Sequence, residues 1–184
     1  MSLFDVLADL EGNDDLHLGR LLVLLKAFSG RDGSDTVEGL TKLAKLDFLL
    51  RYPVFLERAL PKRGANPASA HVQEHERKSV ESAMVRFRYG PWDFRYRRFL
   101  NLLVARGLAT VTTERRTIHI GLTAPGHTVA DRLSQDDANQ DVLRRAKLLK
   151  RYLDLSATKL MKFIYDTFPE IGTLRLGAEI THEH

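Results

Sequence analysis

The chain has 184 residues, 43% of them hydrophobic and 28% charged, which suits one globular domain with a real core and excludes a disordered or fibrous protein. Its 28 lysines and arginines against 24 acids leave a net charge of +4, and it has no cysteine, which removes disulfides, thiolate zinc sites and cysteine nucleophiles together. No run of about 18 apolar residues is present to span a bilayer, and Asp5, Asp9 and Glu11 stand where a secretory leader would carry basic residues, so a soluble, cytoplasmic protein is expected.

From Asp15 onward, Leu18, Leu21, Leu22, Leu25 and Phe28 keep the spacing of one helical face up to Ser29-Gly30, which predicts a first helix. A turn-rich stretch, 30–35, follows. Thr36 is the expected N-cap of a second helix that carries Leu40, Leu43, Ala44, Leu46 and Leu50. It stops at Tyr52-Pro53, because proline has no amide hydrogen to donate. Val54, Phe55 and Leu56 add one more helical turn and complete an N-terminal helical part over 15–60. Residues 61–79 lose periodicity and gather Pro, Ala, Asn, Ser, His and charge, so 61–82 is expected to be a linker or an exposed insertion.

Val85, Phe87 and Tyr89 then alternate with Met84, Arg86 and Arg88, the period of a strand with one wet, basic face. Gly90-Pro91-Trp92-Asp93 is expected to turn, with Asp93 capping a helix that carries Tyr96, Phe99, Leu100, Leu103 and Val104 on one face and ends at a left-handed Gly107. Ala109, Val111 and Thr113 alternate out to Glu114-Arg115-Arg116, and Ile118, Ile120 and Leu122 alternate back. That pattern predicts a hairpin with a basic tip. The tip lacks Asn-Gly, so a wide, mobile connection is expected. Thr123 can cap a helix through Val129, Ala130 and Leu133, with Pro125 in its first turn. Beyond the polar break 134–139, two C-terminal helices over 139–170 carry Val142, Leu143, Ala146, Leu149 and Leu153, then Leu160, Met161, Ile164 and Phe168, with Pro169 as the stop. Strand, helix and hairpin over 83–133 follow the order of a winged helix. The expected fold is therefore mainly α with a small β-hairpin, a winged-helix core with additional N- and C-terminal helices, in a single domain 1–184.

The charge is concentrated in that core. Between Arg86 and Arg116 stand eight arginines (86, 88, 95, 97, 98, 106, 115 and 116) against Asp93 and Glu114, a net of +6, so the rest of the chain sums to −2. Localised positive charge on a helix and a hairpin suits a polyanion, and Arg115 and Arg116 lie where a wing would touch a phosphate backbone. Surface arginines such as Arg95 and Arg98 also keep domains soluble, and a charged patch supports non-specific affinity without sequence reading. On charge alone the candidate DNA contacts are Lys42, Lys45, Arg95, Arg97, Arg98, Arg115 and Arg116. A second basic group, Arg144, Arg145, Lys147, Lys150 and Arg151, lies on an amphipathic helix and is either a solvated face or a partner contact. Together with Tyr89 and Trp92 beside the turn, Lys147, Lys150 and Arg151 are the candidate partner-interface residues.

Catalytic patterns are weak. His71-Val72-Gln73-Glu74-His75 fits the H-x-x-E-H spacing of one group of zinc peptidases, but it sits in the Pro/Ala/Ser stretch without a third ligand. His182 and His184 are terminal. The glycines of 30–34 have no Gly-Lys-Ser/Thr, no Gly-x-Ser-x-Gly elbow occurs, and Asp14-Asp15 and Asp136-Asp137 fall where helix caps are expected. No cofactor, metal or enzymatic activity is expected.

Two segments resemble a known family: 39–53, Gly-Leu-Thr-Lys-Leu-Ala-Lys-Leu-Asp-Phe-Leu-Leu-Arg-Tyr-Pro, and 86–93, Arg-Phe-Arg-Tyr-Gly-Pro-Trp-Asp, followed by Arg106-Gly107-Leu108. They are similar to the middle component of bacterial three-component ABC/SMC-type systems, including Lamassu-like anti-phage defence, over roughly 16–168. The resemblance implies a non-catalytic adaptor akin to kleisin-interacting winged-helix subunits. Such an adaptor would bind an SMC-like ABC ATPase subunit, help sense DNA and hold an effector subunit. The alternative is a winged-helix transcription regulator in which helix 94–106 reads the major groove and the C-terminal helices form a homodimer.

Overall fold

The computed structural model describes residues 14–77, 84–87 and 90–180. The chain is mainly helical, with a small three-stranded antiparallel sheet. Helix α1, Asp14–Phe28, begins on two acids that complement the positive end of its dipole. It buries the expected Leu18, Leu21, Leu22, Leu25 and Phe28 and also His17, Val23 and Leu24, so it is covered on more than one face. Val37–Glu38 form strand β1, and helix α2, Leu40–Arg51, starts from Gly39 with no side-chain cap. Thr36 is thus not the N-cap the sequence suggests; its hydroxyl lies 3.2 Å from His119 Nδ1. A two-residue strand is too short to leave a period in the sequence.

Helix α3, Pro53–Ala59, continues from Tyr52 with proline in its first turn. The aromatic centre of the core lies here: Phe55 is 5.0 Å from Phe48 and 4.9 Å from Phe168, ring centre to ring centre. The next segment, expected to be a linker or an exposed insertion, is exposed along most of 61–77 but has local structure. Leu60–Arg63 and Pro67–Ala70 form 3-10 turns, Glu74–Arg77 a short helix α4, and Ala70 is fully buried. What holds the segment comes from far along the chain. Arg145, itself buried, donates to the carbonyl oxygens of Ala70 and His71, each at 2.8 Å, and to both carboxylate oxygens of Glu76 at 2.6 Å.

Strands β2, Val85–Phe87, and β3, Gly90–Trp92, pair antiparallel. Gly90 to Trp92 therefore belong to a strand and not to a turn. Of Met84, Arg86 and Arg88, expected to form a wet, basic face, Arg88 lies outside the described residues. Met84 is buried with its amide on the Tyr52 hydroxyl, and the Arg86 guanidinium donates to the Leu174 carbonyl oxygen. Asp93 does bond the amide of Arg95, at 2.9 Å. Helix α5, Tyr96–Ala105, buries Tyr96, Phe99, Leu100 and Leu103, as its periodicity indicates, while Val104 is exposed.

Gly107 takes φ +68 and leads into strands β4, Ala109–Glu114, and β5, Thr117–Leu122. β1 adds to the free edge of β5, which gives the order β1-β5-β4. Helix α6, Ala124–Gln135, is capped as expected: the Thr123 hydroxyl accepts from the Gly126 amide at 3.0 Å. That first turn lies so close to Leu108 that a Cβ on Gly126 would come within 1.9 Å of its carbonyl oxygen. Helices α7, Gln140–Leu153, and α8, Ala157–Thr167, bury Ala146, Leu149, Leu153, Leu160 and Ile164. Pro169 ends α8 and opens a short α9, Pro169–Thr173. α1 packs on α6 and α7, and α2 on α7, α8 and β3. No helix among the described residues is long and apolar enough to cross a membrane.

Candidate nucleic-acid interface

The β4–β5 hairpin is tighter than its sequence suggests. Glu114 pairs with Thr117, so Arg115 and Arg116 alone make the connection, and Arg115 adopts φ +55. A positive φ at such a position normally selects glycine or asparagine. Here the twist of the paired strands imposes it on an arginine. Both side chains are exposed, as are Thr112, Thr113 and Val111, so the outer half of the hairpin projects from the body. No acidic partner pairs with either arginine among the described residues.

The other arginines of the +6 segment are largely answered in three dimensions. Arg95 folds onto Asp93, with Nη2 to Oδ2 at 2.8 Å. Arg98 pairs with Asp14 and Arg106 with Asp15, so the acidic start of α1 lies against α5. Arg88 is outside the described residues. Arg97 is exposed, and no acidic partner pairs with it among the described residues. The Arg98 and Arg106 pairs are themselves exposed, and pairs of that kind contribute about 0–1 kcal/mol, so a phosphate can take the place of the carboxylate. The open cationic surface is therefore Arg97, Arg115 and Arg116, with Arg98 and Arg106 exchangeable.

Lys42 and Lys45 do not belong to it. They fall outside the apolar stripe read from α2, but α7, α8 and β3 cover that side of the helix and bury both. Lys42 Nζ is 2.7 Å from Asp154 Oδ1, and Lys45 Nζ donates to the Thr41 carbonyl oxygen at 3.2 Å. Neither is part of the open cationic surface. Of the partner candidates, Tyr89 lies outside the described residues, and Trp92 is half-buried with its ring 5.7 Å from Tyr96. Lys147 and Arg151 are exposed on α7, Arg151 over the Tyr152 ring, whereas Lys150 bonds Asp154 at 2.7 Å.

Beneath this surface lies an ionic network that sequence reasoning missed. Asp47 is completely buried and accepts from Arg20 Nε at 2.6 Å, Arg20 Nη2 at 3.0 Å and the Tyr96 hydroxyl at 2.5 Å. Arg51, one turn further along α2, bonds Asp93 at 2.9 Å. Burial works against the charge on Asp47, yet the guanidiniums of Arg20 and Arg51 and the Tyr96 hydroxyl hold its carboxyl below the usual range. Asp93 is likewise opposed by burial and held low by Arg95 and Arg51. Burial, then the Asp47 charge, raise the Tyr96 hydroxyl well above its ordinary value, so it stays a donor. The network ties α1, α2 and the start of α5 together and so fixes the helix that leads into the hairpin. Its signal was an Asp47…Arg51 pair, four apart, inside an otherwise leucine-rich helix.

The H-x-x-E-H pattern does not form a ligand set. His71 sits in the left-handed region at φ +50, ahead of α4, with Nδ1 2.9 Å from Asp141, so it shares no helical face with His75. Among the described residues no group of three or more His, Cys, Asp or Glu is placed to hold a metal. Asp136 caps the turn 137–139 through the Ala138 amide. No protein-family profile matches the chain, and neither a curated protein nor a solved structure matches it.

Proposed function

We propose that the chain is a non-catalytic winged-helix adaptor that lies against DNA through its β4–β5 tip and couples an SMC-like ABC ATPase subunit to a separate effector in anti-phage defence. The observation that carries the DNA part is the tip itself, two exposed arginines on a two-residue turn at the end of a projecting hairpin. The order α1, β1, α2, then α5, β4, β5, with β1 on the edge of β5, supports the reading of a winged helix into which residues 52–93 are inserted. The ATPase, the effector and the defence role come from the family resemblance, and the exposed Lys147 and Arg151 on α7 suit an acidic coiled coil. A regulator that reads bases through α5 is less well supported, because Arg95 at its start is folded onto Asp93, and of Arg95, Arg97 and Arg98 only Arg97 has no acidic partner among the described residues. Tagged protein recovered from its native cells after nuclease treatment should bring down a large SMC-like ATPase. Recovery of the protein alone would overturn the adaptor reading.

A further inference from the structure

Lys45 has 2% of its surface exposed and no counter-charge among the described residues. Its stem runs under β3, where a Cβ on Gly90 would come within 3.2 Å of Lys45 Cε, so the backbone of that strand closes over it. Its Nζ donates to a carbonyl oxygen one turn back in its own helix, which leaves two N–H groups of the ammonium without a protein acceptor among the described residues. Desolvation by burial brings the amine down to about 8. The contrast with Lys42 and Lys150 is direct, because both of those bond Asp154 across a neighbouring cleft.

Lys45 lines a cleft of about 260 Å³ between α2 and α8 together with Thr41, Ala157, Thr158 and Met161. α8 begins in this cleft. The Ser156 hydroxyl takes the Lys159 amide, and Ala157 and Thr158 supply first-turn amides that have no intrahelical acceptor. Two hydroxyls, a methyl and a thioether complete the lining. A buried ammonium without a counter-charge is costly, and a bound anion lowers that cost.

We propose that the α2–α8 cleft is a binding site for a monocarboxylate with a short apolar body, its carboxylate on Lys45 Nζ and its body against Ala157 and Met161. One ammonium balances one negative charge, and the partly apolar lining suits a short carbon chain better than a multiply charged phosphate. The space holds roughly eight or nine water-sized groups. Such a carboxylate can belong to a free small acid or to the C-terminus of a polypeptide, and the site is independent of the DNA contact.

The test follows the Lys45 Cε signal and the backbone amides by NMR in uniformly ¹³C,¹⁵N-labelled protein, during titration with sodium butyrate, with butyramide, and with a pentapeptide ending in leucine as the free acid or the amide. The expected result is a saturable shift of Lys45 and of the Ala157 and Thr158 amides with a carboxylate and none with either amide. The bound anion should also move the Lys45 titration upward from about 8. Tighter saturation by butyrate assigns a free acid, and tighter saturation by the peptide acid assigns a polypeptide terminus. In Lys45→Met the shifts of the two amides should vanish. No saturable shift of the wild-type signal with either acid, or equal responses to acids and amides, would overturn the proposal without reliance on any variant.

Discussion

Replacing Asp47 with alanine should be among the most damaging single changes in this protein. The carboxylate is fully buried, and its loss strands two guanidinium N–H groups and the Tyr96 hydroxyl that now bond it at 2.5–3.0 Å. Removing one member of a buried pair costs about 3–5 kcal/mol, because the other is left as an uncompensated charge. The Arg20 side chain keeps 14% exposure, so some water reaches it and the lower end of that range applies, about 3 kcal/mol. For a domain of this size that is a fall of about 6–12 °C in melting temperature. With a urea dependence of about 2 kcal/mol per M, it is a fall of about 1.5 M in midpoint. Equilibrium urea unfolding followed by circular dichroism at 222 nm measures this. The double change Asp47→Leu with Arg20→Met should recover most of the loss, since apolar residues of similar volume replace a buried pair at little cost. A single-mutant loss under about 1 kcal/mol, or a double mutant no better than the single, would refute the reasoning.

Three further outcomes follow from the same physics. Asp47, Glu76, Asp93, Asp141 and Asp154 are all held below their ordinary range in the folded protein. Each therefore contributes stability that is present above the unfolded value of about 4 and is lost as pH falls toward the folded one. The urea midpoint should hold between pH 7 and 5 and drop steadily toward pH 3; a midpoint unchanged at pH 3 would contradict this. Lys45 behaves in the opposite direction, since burial lowers its amine to about 8. The unfolded chain then binds more protons up to about pH 10.4, and stability rises with pH across that window. Without bound ligand, Lys45→Met should be more stable than wild type at pH 7, by at most about 3 kcal/mol, with the gap closing near pH 10. A gap equal at both pH values would be inconsistent with that linkage. Gly126→Ala should cost about 3 kcal/mol, because its Cβ would meet the Leu108 carbonyl oxygen and the first turn of α6 must move away. A melting temperature within a degree or so of wild type would show that the turn yields freely.

The elements legible in the sequence are those whose apolar period spans three turns or more. α1, α5 and α7 follow from their leucine and phenylalanine spacing, and α6 from Thr123 and Pro125 at its start. β1 has two residues and exists only because the edge of β5 is free to pair. The hairpin tip was misjudged because its turn residues are arginines, and register is set by strand pairing as well as by turn chemistry. Lys42 and Lys45 read as surface because one helix periodicity shows one stripe, whereas α2 is buried by neighbours more than 40 residues away in the chain. Residues 60–77 lack a stripe of their own and are held by Arg145, a contact that no local pattern records. The net +6 of 86–116 is real in the sequence, but Asp14 and Asp15, distant in the chain, answer two of its charges. The arginines at the tip read as surface charge and are exposed.

The most direct test of the DNA contact is the salt dependence of binding to a fluorescein-labelled duplex, measured by anisotropy for wild type and for Arg115→Glu with Arg116→Glu. Both positions are exposed, so the variant should melt like wild type. If the tip touches two phosphates, the variant should bind more weakly, and its slope of log affinity against log salt should be shallower by about 1.8. An affinity and a slope equal to those of wild type would contradict a DNA contact at the β4–β5 tip.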